Sequence, residues 1–125
     1  MKNVMKKFKD INLAVNNLVA AANADYTDRS NCNYEDKTDV QKKIKNEMDD
    51  KFVNGWTITK GSKYIRFRTA DYGTWGFVVN TDNDKKFKKG DLLKPAGYDK
   101  PARNAARGNI LDGGFGINWT GPLYL

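Results

Sequence analysis

The 125-residue chain has no histidine, one cysteine and three prolines, and the first two shortages remove whole classes of chemistry. Without histidine there is no Ser–His or Cys–His nucleophile pair, and no side chain that titrates near neutrality unperturbed. Cys32 has no second cysteine for an internal disulfide and no cysteine or histidine partners for a zinc site. Reducing surroundings are therefore expected, with no metal and no cofactor. No apolar run approaches the ~20 residues of a membrane-spanning helix, so no membrane partner is expected. The lysine-rich start and Ala22-Asn23-Ala24 imitate a secretory signal, but Asp10, Asn12, Asn16 and Asn17 interrupt its apolar stretch. The chain is accordingly expected in a cytoplasm, and it is not read as an enzyme.

What is present is positive charge. Lys and Arg number 22 against 15 Asp and Glu, a net charge of +7, with 39% hydrophobic residues and a mean hydropathy of −0.76. A chain of this length buries roughly two thirds of its unfolded surface, enough for one core and one domain over residues 1–125. Val4, Phe8, Ile11, Val15, Leu18, Val19 and Ala22 recur at spacings of three and four, which predicts a helix over about residues 3–24. Thr38 with Gln41 three residues on has the capping-box spacing and opens a second helix over about 39–52. Its apolar stripe is narrow, Val40, Ile44, Met48 and Phe52, and the acids and lysines between Tyr34 and Lys51 nearly cancel. Residues 1–54 form the helical part.

From Trp56 the apolar period becomes two. Trp56 to Lys60, Tyr64 to Arg68 and Trp75 to Val79 predict a three-stranded meander, joined by a turn at Gly61-Ser62 and a loop closed by Gly73. Pairing Lys60 with Lys63 sets Ile58 beside Ile65 and Trp56 beside Phe67; Trp75, Phe77 and Val79 then join the same face, under the first helix. A change of one residue in the second loop would instead put Trp75 and Phe77 beside Arg66 and Arg68. Asp99, Pro101, Ala102, Ala105 and Ala106, closed by Gly108, predict a short third helix over about 100–107. Phe115 to Trp119 predicts a closing strand. The fold class is α+β: two N-terminal helices packed on a small antiparallel sheet over residues 55–125, with a short third helix and closing C-terminal strands.

Lys63-Tyr64-Ile65, Gly76-Phe77-Val78-Val79, Gly90 to Ala96, Lys100 to Arg103, Ala106 to Ile110 and the ending Trp119 to Leu125 are the residues of a likeness. Over about residues 60–125 the chain resembles small uncharacterised accessory proteins of tailed bacteriophages. The resemblance implies a viral protein acting in a bacterial host cytoplasm, by handling nucleic acid or by disarming a host factor.

The candidate binding residues follow from charge placement. Between Lys85 and Arg107 eight basic residues face two acids, Asp91 and Asp99. On the expected third helix Lys100, Arg103 and Arg107 fall on one side, where such a stripe meets successive phosphates. Tyr64, Arg66 and Arg68 alternate on one strand, a pattern that lets bases stack while guanidinium groups hold phosphates. With Lys94 these residues make the predicted surface of a nucleic-acid-binding protein without base specificity; the alternative is a stoichiometric inhibitor or sponge for an acidic host protein or a small nucleotide. Gly108 to Gly116 lacks the order of a phosphate loop, and Asp82-Asn83-Asp84 lacks the glycine and glutamate of a calcium loop. Oligomeric state is left open.

Overall fold

Asp10 opens the first helix. Its carboxylate accepts the backbone N–H of Asn12 at 2.7 Å and of Leu13 at 3.4 Å, as an N-cap does. In the computed structural model, which describes residues 5–30, 34–70, 73–97 and 99–122, α1 is Ile11–Ser30. The expected start near residue 3 is corrected because the preceding chain is held elsewhere: Met5 N–H donates to the Phe115 carbonyl, Phe8 N–H to that of Leu111 and Gly114 N–H to that of Met5, each at 2.8 Å. Val4, Cys32, Asp71, Tyr72 and the tail from Leu123 to Leu125 lie outside the described residues.

After a 3₁₀ turn at Tyr34–Asp36, α2 is Asp39–Asn54, and its capping box is formed on both sides: Thr38 Oγ1 accepts Gln41 N–H at 3.2 Å and Gln41 Oε1 accepts Thr38 N–H at 2.9 Å. One end of α2 is anchored. Phe52 stacks on Tyr26 of α1, with centroids 4.1 Å apart, and meets Trp56 and Trp119 edge-on. The expectation that both helices pack on the sheet is thus corrected for α2, which leans on α1.

Strands β1 (Thr57–Lys60), β2 (Tyr64–Thr69), β3 (Gly73–Val79) and β4 (Leu92–Leu93) form an antiparallel sheet in chain order, and β5 (Ile117–Asn118) pairs with β6 (Gly121–Pro122). In the first hairpin Lys60 faces Ile65 and Ile58 faces Phe67, two residues from the expected register. A shift of two preserves which face each side chain occupies, so Ile58, Ile65 and Phe67 still share one.

The second pairing corrects the expectation more deeply. Phe67 faces Gly76 and Arg68 faces Thr74, leaving Trp75 as the extra residue of a β-bulge. Trp75 stays with Phe67, on the side of Ala14, Val15, Leu18 and Ala22 from α1. Beyond the bulge the alternation inverts. Val78, opposite Ile65, joins that core, whereas Phe77, opposite Arg66, and Val79, opposite Tyr64, enter a second cluster with Phe87 and Leu93. The sheet is therefore covered on both faces.

The second cover is the segment expected to be the third helix. Residues 100–107 are not helical: Ala102 N–H donates to the Lys94 carbonyl and Arg107 N–H to that of Leu92, both at 2.7 Å, and Leu92 N–H donates to that of Gly108 at 2.8 Å. The chain lies irregularly along the free edge of β4, and sheet hydrogen bonding overrides the helical preference of the alanines. A buried polar knot fastens its end. Asn109 Nδ2 donates to Asp91 Oδ1 and to the Lys89 carbonyl, both at 3.0 Å, while Asn109 Oδ1 accepts the N–H of Leu111 and Asp112. No helix among the described residues is long and apolar enough to cross a membrane.

Candidate anion-binding surface

β2 and β3 are adjacent and antiparallel, so the turn entering β2 lies beside the turn leaving β3. Asn80 ties them: its N–H donates to the Lys63 carbonyl at 2.8 Å and its Nδ2 to that of Gly61 at 2.9 Å. Between them opens a cleft of ≈ 520 Å³ walled by Ser62, Lys63, Thr81, Asn83, Asp84, Lys85 and Arg103. A second hollow of ≈ 360 Å³, with Tyr64, Arg66 and Asp99 in its wall, shares Ser62 and Lys63 with the first.

Arg103 is the organising cation. Its Nη1 and Nη2 reach Asp84 Oδ2 and Oδ1 at 2.9 and 2.8 Å, and Nη1 also donates to the Tyr64 hydroxyl. Its guanidinium lies 4.9 Å from the centre of the Phe87 ring. The Asp84 side chain is only 2% exposed, and it also accepts the N–H of Lys86 at 2.9 Å and Phe87 at 3.0 Å. Arg103 first, then those two N–H groups, hold the Asp84 carboxyl far below its ordinary value, and the paired Arg103 guanidinium binds its proton more tightly than usual. Lys86 Nζ fastens the opposite side, donating to the carbonyls of Arg103 and Asn104.

The residues expected to bind nucleic acid separate into groups. Tyr64 meets Arg103, and Arg66, which shares the wall of the second hollow with Tyr64, is paired to Asp99. The Tyr64 ring is half-buried and meets Phe77 edge-on at 6.0 Å, so the open stacking face is corrected by the inverted alternation of β3 and the chain covering it. Arg68 sits further along β2, opposite Thr74. Lys94 turns to the Pro122 carbonyl at 2.7 Å, and burial first, then the nearby Arg107, push its ammonium below the ordinary lysine value. Lys100 is exposed in the turn where its carbonyl accepts Ala96 N–H. The stripe of Lys100, Arg103 and Arg107 does not exist, because no helix carries it.

Lys63 was missed as a candidate, and Lys85 entered only as part of a charge run. Both are exposed, and neither has an acidic partner among the described residues. The signal was available: once β2 and β3 are paired as neighbours, their two turns must share one end of the sheet. Among the described residues, no group of three His, Cys, Asp or Glu is placed to hold a metal ion. No family model, curated protein or solved structure matches the chain.

Proposed function

We propose that the chain binds the phosphate backbone of nucleic acid without base selection, at the cleft between the β1–β2 turn and the 80–85 turn. The observation that carries this reading is the convergence of Lys63 and Lys85, both without acidic partners among the described residues, on a cleft where Arg103 is held by Asp84 and Tyr64. Two exposed ammonium groups, that of Lys63 lying 5.4 Å from the centre of the Tyr64 ring, beside a fixed guanidinium suit phosphates of varied sequence, since phosphate contacts position a nucleic acid and carry no base information. Tyr64 acts here as a support for Arg103, its hydroxyl accepting from the guanidinium and its ring meeting Phe77 edge-on. The setting is that of a phage accessory protein in a host cytoplasm, and the proposal assigns no reaction to the chain.

The cleft volume, within the ~300–1,000 Å³ of small-ligand sites, favours a free nucleotide as the second reading. Fluorescence anisotropy with a short labelled single strand and the matching duplex, at about 50 and about 200 mM salt, separates them. Both strands should bind at low salt and weaken steeply at the higher salt, and Lys63→Glu with Lys85→Glu should weaken all sequences alike. Absence of binding to either at low salt would overturn the proposal. Binding of a labelled nucleotide without either polymer would select the second reading.

A further inference from the structure

α2 faces the wrong way for a helix whose whole purpose is the core of one chain. Val40, Ile44, Met48 and Phe52 recur every four residues, a row that drifts about 40° around the helix at each step. Phe52 is 4% exposed, but Met48 is 48%, Ile44 51% and Val40 68% exposed, so the row leaves the core and climbs onto the surface. The side chain turned inward is instead Lys45, 9% exposed and paired with Asp49. Single exposed apolar residues are ordinary. Three on successive turns form a continuous ridge roughly 12 Å long, and the anchored end at Phe52 leaves that ridge pointing outward.

We infer that this ridge is the contact between two copies of the chain, packed antiparallel about a two-fold axis through Ile44. Charge admits this occupant. Each chain carries +7, which opposes contact between copies through their basic surfaces. In α2, however, Lys42, Lys43, Lys45 and Lys51 are balanced by Asp39, Glu47, Asp49 and Asp50, so this is an element on which two copies can meet without net repulsion. The fit is also local. Rows of i, i+4 side chains pack into the same rows of a second helix. The two-fold sets Ile44 on the partner's Ile44 and Val40 on the partner's Met48. Lys43 and Glu47 flank the ridge on one side, four residues apart, and the axis brings Lys43 within roughly 3 Å, measured along the helix, of the level of the partner's Glu47. The contact is thus closed and self-complementary, two ion pairs about an apolar centre. It uses none of the cleft residues and stands or falls independently of nucleic-acid binding.

Sedimentation velocity on the full, nucleic-acid-free chain from about 1 μM to about 1 mM tests it. The weight-average mass should rise with concentration from the 14.2 kDa of one chain toward twice that value. Ile44→Glu should hold the chain at the monomer mass, with near-ultraviolet tryptophan signals unchanged because the side chain is half exposed. Lys43→Glu alone and Glu47→Lys alone should each weaken association by roughly tenfold, by setting like charges together, and the double exchange should restore it. A single 14.2 kDa species throughout would overturn the inference. So would a dimer that survives Ile44→Glu, or a double exchange that remains as weak as its singles.

Discussion

Arg103 holds the Asp84 carboxylate with both terminal nitrogens, at 2.9 and 2.8 Å. The pair joins the 80–87 loop to the segment along β4, so it closes the cleft wall and covers the second cluster together. Because the Asp84 carboxyl is lowered in the folded chain, its contribution is fully present above its unfolded value of about 4 and is lost as pH falls through the lowered folded value. Urea midpoints followed by tryptophan fluorescence should drop on acidification below about pH 4. In Asp84→Asn the drop should be shallower, starting from a lower stability at neutral pH.

Removing Phe52 tests the anchoring of α2. Phe52→Ala takes away the stack on Tyr26 and the edges on Trp56 and Trp119, and should cost about 3 to 5 kcal/mol by urea denaturation. At concentrations where the chain is monomeric, Ile44→Ala should change stability by no more than about 0.5 kcal/mol.

Two neighbouring glycines should behave differently. Gly113 (φ +71°) and Gly114 (φ +77°) both adopt left-handed backbone, but a Cβ on Gly113 would lie 2.6 Å from the backbone carbonyl of Lys6, whereas Gly114 has nothing within 4 Å. Gly114→Ala should cost about 1 kcal/mol, the conformational penalty alone. Gly113→Ala should cost distinctly more and release the Met5 and Phe8 amides to hydrogen exchange, since the segment they belong to must move.

Tyr64→Phe separates support from stacking. Losing the hydroxyl that accepts from Arg103 while keeping the ring should weaken single strands and duplex by the same factor in anisotropy titrations. A loss of about 1 to 3 kcal/mol confined to single strands would mean that bases stack on the ring after all.

Local signals read correctly at the start of α2, though not at the end of α1, expected near residue 24 and found at Ser30. Thr38 with Gln41 is a contact of neighbours, and it marked the start of α2 where it lies. The strands of the meander were also readable, because Ile58, Ile65 and Phe67 alternate whichever even register the hairpin adopts. Reading failed where distant chain intervened. Ala102, Ala105 and Ala106 favour a helix, but the unsatisfied edge of β4 is a stronger claim on their backbone, and no local pattern announces it. Phe77 is buried as expected, yet on the other face, since the bulge at Trp75 depends on how two strands meet. Of the residues of the proposed surface, Arg103 and Tyr64 were named from the sequence and meet in the structure, while Lys63 required knowing which turns become neighbours.

The bulge gives β3 something like a reading frame. Residues after it are assigned to the two cores by counting, and the count is reset once, at Trp75, the unpaired residue between Thr74 and Gly76. Deleting a single residue there would send Phe77 and Val79 toward α1 and turn Val78 outward, exchanging large and small side chains between two filled spaces. The chain between Thr69 and Gly73, the last pair of the ladder, lies upstream of the reset, and a residue added there need not disturb either assignment. Length variation in this chain should therefore be tolerated a few residues before the bulge and refused within it.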